Sequence, residues 1–271
     1  MKKGLLVILF SLFCLNMGAT AQFGERLVWN GEVVELFSEP LSLNDSLYKG
    51  VSERLSGLGS TALWRGYVGY WTIENDSLFL DSICQRSRSS SKMSFEKVDI
   101  RDLTSGYKME NSRIFASWVT DTLRVVSGEC VNYVHMGWES TYEKEWNVVV
   151  ERGVVKNIIA FNNAIVIEGG SEPEIMETLN DFPIEKYPSI NRVHVSVKGV
   201  KMDSVNNEIS YDLEVRSKNL SEEVCEGIIS DFQDLLKAKK FIRVYNANGE
   251  LKCKTCIIPI VRKRIEEFRR R

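Results

Sequence analysis

The segment 63–80 constrains the fold most, because it holds two of the six tryptophans and two of the nine tyrosines in this 271-residue chain. Its apolar runs Trp71–Ile73 and Leu78–Leu80 flank four polar residues of the kind that favour turns, so the pattern predicts a β-hairpin. In the residues ahead of the turn, apolar side chains occur at both odd and even positions, so neither face of the strand is purely polar. This is typical of a strand buried on both sides. We therefore expect Trp64 and Trp71 to lie in a core.

Residues 1–21 have the pattern of a secretory signal peptide. Two lysines precede the apolar run Leu5–Leu15, and small residues suited to signal peptidase end the segment. The apolar run is shorter than the roughly 20 residues that span a bilayer, so the pattern favours a cleaved signal over an anchor. Cleavage after Ala21 predicts a periplasmic or extracellular protein with no integral membrane segment.

Charge and composition narrow the class of partner. Loss of Lys2 and Lys3 leaves 33 basic and 37 acidic side chains, a formal charge of −4, while an apolar content of 44% is ample for a core. Nucleic acid and anionic membranes require a concentrated basic face, and the only such stretch is the tail 262–271. We interpret that tail as a solvated helical or frayed terminus and expect no nucleic-acid partner.

The first domain is expected to be mostly antiparallel β and to span residues 22–168. Asn30-Gly31, the dipeptide that best tolerates positive φ in a tight hairpin, separates two apolar runs near its start. Further short strands with close turns follow, whereas 86–92 is polar and predicts a surface loop. Few helices interrupt this pattern, which favours a domain built from sheets.

A turn at Gly169-Gly170-Ser171 marks the end of this domain, and we expect a linker over 169–174. The remaining residues, 175–271, predict a small α+β domain. Two amphipathic strands precede a helix that ends near Lys239, and a last strand is expected over 252–259. The order strand, strand, helix, strand predicts a helix packed on one face of a sheet.

Two motifs carry a resemblance in the first domain. Trp-Arg-Gly-Tyr at 64–67 and Tyr-Val-His-Met-Gly at 133–137, together with the hairpin between 71 and 80, resemble an uncharacterised family of bacterial proteins. The resemblance covers most of residues 22–168. It implies a domain boundary but brings no known activity.

The second domain resembles the C-terminal domain of TonB energy transducers. Its amphipathic helix, the segment 240–245, the turn Asn248-Gly249-Glu250 and a closing strand ending at Ile260 carry the resemblance. The resemblance implies a periplasmic protein-binding module. This chain departs from the energy-transducing members because it has only five prolines and no proline-rich spacer.

Candidate site residues cluster around the two motifs. His135 lies close in sequence to aromatic and acidic side chains, which is compatible with an acid–base or metal cluster, but the pattern favours a histidine hydrogen-bonded inside an aromatic loop. The chain has no nucleophile elbow, phosphate-binding glycine loop or zinc-helix motif. The residues predicted to bind a ligand are Trp64, Arg65, Tyr67, His135, Trp138 and Glu139.

Five cysteines remain after signal removal: Cys84, Cys130, Cys225, Cys253 and Cys256. An odd number in an exported protein leaves at least one free thiol or an intermolecular bridge. If Cys253 and Cys256 shared one strand they would point to opposite faces, which suits neither chelation nor a disulfide. A disulfide within each domain, such as Cys84 with Cys130, stays open.

The sequence favours an exported, non-catalytic protein that binds another protein or an envelope component. No cofactor, metal ligand set or catalytic residue is indicated. The alternative is a glycan- or peptidoglycan-interacting protein, with Glu139 and Glu143 as the carboxylate pair of a hydrolase. Whether the aromatic side chains face a groove or a packed core discriminates between a binding platform and a structural role.

Overall fold

The computed structural model describes residues 22–55, 60–87, 94–135, 137–169, 172–203, 205–206, 208–217, 219–239 and 242–270. The predicted signal peptide, most of the predicted polar loop, and Gly170 and Ser171 of the predicted linker lie outside the described residues. The chain divides into two compact units between Phe161 and Asn162. Each unit has its own buried core.

The first unit is built from ten strands and one α-helix among its described residues. In chain order these are β1 (Glu25–Trp29), β2 (Glu32–Leu36), α1 (Asp45–Arg54), β3 (Tyr67–Glu74), β4 (Ser77–Arg86), β5 (Phe95–Lys97), β6 (Met109–Glu110), β7 (Arg113–Phe115), β8 (Asp121–Asn132), β9 (Thr141–Glu151) and β10 (Val154–Asn162). A 3-10 turn at Pro40–Leu43 precedes α1.

These strands form one sheet, and its two sides meet at a single residue pair. Its order is β10-β9-β8-β2-β1-β3-β4, and Val154 of β10 also pairs with Ser77 of β4. Strands β1 and β3 run parallel, whereas β1 with β2, β2 with β8, β3 with β4 and β8 with β9 run antiparallel. The apolar side chains on one face of this sheet form the core of the unit together with Leu47 and Val51 of α1.

The two predicted hairpin turns are confirmed. Asn30 and Gly31 have φ of 52° and 81°, and Asn75 and Asp76 have φ of 49° and 56°. Positive φ at both central residues matches the twist of the flanking strands, which is why such residues join β1 to β2 and β3 to β4.

Of the two tryptophans expected in the core, only Trp71 lies there. Trp71 is fully buried, whereas Trp64 is 64% exposed. The strand begins at Tyr67, and the residues before it form tight turns, with Gly66 at φ 81° and its amide bonded to the Leu63 carbonyl. The strand alternation therefore does not extend back to Trp64, and the prediction that its ring is buried is wrong.

The second unit contains β11 (Ala164–Ile167), α2 (Glu172–Thr178), β12 (Arg192–Asp203), β13 (Glu208–Arg216), α3 (Glu222–Lys239), β14 (Val244–Ala247), β15 (Glu250–Cys253), β16 (Cys256–Val261) and α4 (Arg262–Arg269). Two three-stranded sheets, β11-β14-β15 and β13-β12-β16, share one core with the apolar face of α3. The expected fold class, a mostly antiparallel β part followed by a smaller α+β part, is confirmed.

Two local expectations for the second unit differ from the structure. Strand β11, expected in the first domain, pairs with β14 of the second unit. The single last strand expected over 252–259 is two strands in different sheets, with Cys253 ending β15 and Cys256 beginning β16. Cys253 and Cys256 therefore do not lie on opposite faces of one strand, and both thiols are free.

The basic C-terminal segment is helical, as one of the two expected forms had it, and most of its residues are exposed, but it is also anchored on its own unit. Arg262 donates to the backbone carbonyls of Ile184, Ile190 and Tyr187, and Arg269 donates to two further carbonyls of the same unit. Ile265 between them is buried. Two of its arginines thus hold α4 against its own unit.

None of the helices in the described ranges is both long and apolar enough to cross a bilayer.

Candidate functional site

A groove of about 520 Å³ lies on the first unit. Four separate segments supply its lining, which are the residues before β1, the residues that follow β2, the turns before β3 and the loop between β8 and β9. The side chains that line it are Gln22, Glu39, Trp64, His135, Trp138 and Glu139. Its size falls within the range of small-ligand pockets.

Backbone and side-chain hydrogen bonds fix the turns that carry Trp64. The Phe23 amide donates to the Ala62 carbonyl at 2.8 Å, and the Gln22 amide group donates to the Thr61 carbonyl. The Gln22 side-chain oxygen also accepts from the Trp64 amide at 3.4 Å. The exposed indole thus stands on a bonded backbone, which limits the entropy that a ligand would have to remove.

Arg124 on β8 holds the loop that carries His135, Trp138 and Glu139. Its guanidinium donates to the carbonyls of Trp138 and Ser140 and forms a two-pronged contact with Glu145, at 3.0 and 2.7 Å. The Ser140 hydroxyl in turn accepts from the Val134 amide at 2.9 Å. A planar guanidinium suits this set of acceptors, and it places the loop at a defined position beside the strands.

Arg65 lies fully buried behind the groove. Its guanidinium donates to the Phe23 carbonyl at 2.9 Å and to Glu39 at 3.5 Å, and its Nε is 3.8 Å from a carboxylate oxygen of Glu25. It also lies over the Tyr67 and Trp138 rings, 5.5 and 5.8 Å from their centroids. One buried cation therefore faces two carboxylates and two aromatic rings.

Glu25 is the buried acid of this cluster. One of its oxygens accepts from the Trp71 indole, and Gly69 leaves room for that contact, because a Cβ there would lie 2.5 Å from both groups. Burial raises the pKa of Glu25 to about 7, although Arg65 and the Trp71 bond oppose the rise. Burial also raises the pKa of Tyr67.

Four buried polar atoms of this cluster have no hydrogen-bond partner among the described residues: Glu25 Oε1, Arg65 Nε, Tyr67 OH and Trp138 Nε1. Glu25 Oε1 and Arg65 Nε face each other as the ion pair at 3.8 Å, too far apart for a hydrogen bond. Buried polar atoms without a hydrogen bond are rare in folded proteins and cost stability. Departures of this kind from the usual packing rules concentrate at functional sites. Asp81 and Arg113 of the first unit also carry such an atom, but four of them occur together only in this cluster among the described residues.

The six predicted binding residues lie in one region. Trp64, His135, Trp138 and Glu139 line the groove, whereas Arg65 and Tyr67 are buried and act from behind it. Glu143, the second acid of the hydrolase alternative, is not part of the lining. Its carboxylate accepts from the Glu129 amide at 2.9 Å instead.

Sequence reasoning missed three contributors, which are Gln22, Glu39 and Glu25. All three come from the first described strands and turns, far in sequence from both motifs, so no local spacing pointed to them. The sequence did contain a signal for Glu25. The alternation of β1 places this acid on the inward face, and a buried carboxylate needs a cation as its partner. Arg65 supplies that cation.

The groove combines an exposed indole with carboxylates, an imidazole and an amide. The Trp138 ring stacks on Phe37, with centroids 5.9 Å apart and planes at 12°, so it serves as a packed wall. The Trp64 ring contacts no other aromatic ring and no cation in the described part of the chain. Among the described residues no cluster of His, Cys, Asp or Glu has the arrangement of a metal site.

Comparisons with family models, with curated proteins and with solved structures find no match for this chain. The two resemblances drawn from the motifs and from the second domain therefore stay predictions.

Proposed function

We propose that this chain is an exported, non-catalytic protein that binds another envelope protein through the groove on its first unit. The observation that carries the proposal is Trp64, whose indole is 64% exposed on a backbone fixed by hydrogen bonds. Tryptophan is enriched among the residues that dominate protein–protein binding energies. The predicted signal peptide supports the location outside the cytoplasm.

The surroundings of Trp64 support the same proposal. Half-buried Trp138 and exposed His135 and Glu139 border it, so an apolar contact is rimmed by polar groups, as in typical interfaces. Arg124 and Arg65 fix the walls from behind, which is the preorganisation that a binding site needs.

Site-specific photocrosslinking in the cell that makes the protein tests the proposal. A photoreactive phenylalanine analogue at position 64 or 139 should yield a defined protein adduct. The same analogue at position 268, an exposed aromatic residue of the second unit, is the matched control and should yield none of that adduct. Adducts that form at 268 and not at 64 or 139 would place binding elsewhere and contradict the proposal.

A second candidate function is glycan or peptidoglycan binding, because an indole beside Glu39 and Glu139 also suits a sugar ring and its hydroxyls. Glu143 lies outside the lining, so the hydrolase form of this candidate would have to use Glu39 with Glu139. Co-sedimentation with purified peptidoglycan tests the candidate, with Trp64→Ala as the variant and Phe268→Ala as the control. Release of soluble fragments would further indicate hydrolysis.

A further inference from the structure

We infer that the groove receives a positively charged side chain, lysine or arginine, from a polypeptide segment of its partner. This inference rests on the proposed function, because it names the ligand chemistry of the same groove. Three observations carry it, which are the sign of the charges along the lining, the neutralised cation behind it and the uncovered face of one indole.

The lining itself is acidic. It carries the carboxylates of Glu39 and Glu139 and contains no lysine or arginine. Glu139 is exposed and forms no ion pair with any described residue. A cationic group entering the groove therefore gains attraction, whereas an anionic group meets like charge.

The buried arginine behind the groove does not change the negative charge of the lining to a positive one. Arg65 lies 3.8 Å from Glu25 and 3.5 Å from Glu39, so Arg65 and Glu39 offset each other and the charge left to attract a ligand is that of Glu139. The other guanidinium near the lining, that of Arg124, is bound to Glu145 at 2.7 Å. Neither arginine is left to attract an anion.

The Trp64 indole supplies the contact that distinguishes an organic cation from a neutral group. A lysine or arginine head placed over the face of a tryptophan ring is attracted by the ring electrons, and tryptophan is the best such partner. The Trp138 ring is not open to a ligand cation in this way, because Phe37 and Arg65 already lie against it. A groove of about 520 Å³ has room for the side chains of a short peptide segment.

Titration of the whole chain with blocked pentapeptides Gly-X-Gly-X-Gly tests the inference, with X as Arg, Lys, Gln or Glu. Spermidine and chitotetraose serve as a free amine and a neutral glycan. We expect the Arg and Lys peptides to bind roughly ten-fold more tightly than the Gln peptide, with binding that weakens as salt is added. The Glu peptide should bind most weakly.

Variants connect that preference to the groove. Glu139→Gln should weaken binding of the Arg peptide about three-fold, in the range for one exposed ion pair. Trp64→Ala should weaken it about ten-fold. Glu53→Gln on α1 and Phe268→Ala on α4 make the same chemical changes at exposed positions outside the groove and should leave binding unchanged.

Different failures separate this inference from the proposed function. Equal binding of the Gln and Arg peptides, or binding of chitotetraose alone, overturns the cationic ligand. Tighter binding of spermidine than of the Arg peptide overturns the polypeptide source. In each of these cases a crosslinked adduct at position 64 would still support protein binding through the groove, whereas absence of both the adduct and the peptide preference overturns both.

Discussion

Glu25 is the residue whose surroundings make the most specific prediction about pH. Its folded-state pKa of about 7 lies above the ordinary value of 4.5, because burial disfavours the carboxylate. Below the ordinary pKa both states hold the proton, so the stabilisation is complete there. As pH rises toward 7 the unfolded chain releases this proton first, and the stabilisation is lost. The loss amounts to at most about 3–4 kcal/mol, since one pKa unit corresponds to about 1.4 kcal/mol.

Glu25→Gln removes this titration and keeps an oxygen that can accept from the Trp71 indole. We therefore expect the unfolding free energy of the variant to depend less on pH between about 4.5 and 7 than that of the unmodified protein. Urea unfolding across that window measures the difference. Glu53→Gln, at an exposed position of α1, is the control. If the unfolding free energies of Glu25→Gln and the unmodified protein changed equally with pH, the raised pKa of Glu25 would be contradicted.

The two tryptophans of the opening segment should respond oppositely to truncation. Trp71→Ala empties a fully buried position and should cost about 3–5 kcal/mol of unfolding free energy. Trp64→Ala removes an exposed ring and should change it by no more than about 0.5 kcal/mol. Chemical denaturation of both variants tests the pair. A loss at Trp64→Ala as large as that at Trp71→Ala would mean that the ring is packed after all.

At the scale of elements, the loop between β8 and β9 depends on one side chain of β8. Arg124→Lys keeps the charge but cannot reach Trp138, Ser140 and Glu145 together, so we expect a loss of about 1–3 kcal/mol. The Gly137 and Ser140 amides, both bonded within this loop, should exchange with solvent faster. Hydrogen exchange measures that change.

A matched substitution distinguishes the loop from a general effect of losing an arginine. Arg113 on β7 pairs with exposed Glu74 and lies 4.5 Å from the Phe79 ring centroid, outside this loop. Arg113→Lys should leave exchange of the loop amides unchanged. If both variants loosened the loop equally, the proposed role of Arg124 in positioning it would be wrong.

Elements with strong local signals were predictable, and those fixed by distant partners were not. Asn30-Gly31 and the turn after Glu74 require backbone conformations that few other residues adopt, so the sequence alone identified both hairpins. Strand β11 carries no local mark of its unit, because its pairing with β14 joins residues far apart in the chain. The break at Lys254-Thr255 between β15 and β16 was not predictable either, because the two strands pair with different distant partners.

The candidate site shows the same division. Its six predicted residues were found because aromatic and ionisable side chains cluster in two short motifs. Whether each residue of the first motif faces the groove or the core depends on where β3 begins. The positive φ of Gly66 belongs to the turn, so β3 begins only at Tyr67. Glu39 and Glu25 both contact Arg65, across 26 or more residues of sequence, and no local pattern marks such distant contacts.

At the scale of the whole molecule, the two-unit division predicts that the second unit folds by itself. Its core draws on both of its sheets and on α3, and β11 contributes the partly buried Ile167 to it. We expect residues 162–271 expressed alone to unfold in one cooperative transition with α+β circular dichroism. Absence of a sigmoidal transition, with a single one in the whole chain, would contradict the division.

The fragment 175–271 tests whether β11 belongs to this unit. It lacks the strand that pairs with β14, the Asn163 side chain that accepts from the Asn248 amide at 2.8 Å, and Glu168, which binds Arg243 at 2.6 Å. Loss of β11 also leaves one edge of β14 unpaired. The shorter fragment should therefore unfold at lower urea concentration than 162–271. Equal midpoints would show that β11 adds nothing to the second unit, and the boundary would then belong nearer to residue 168.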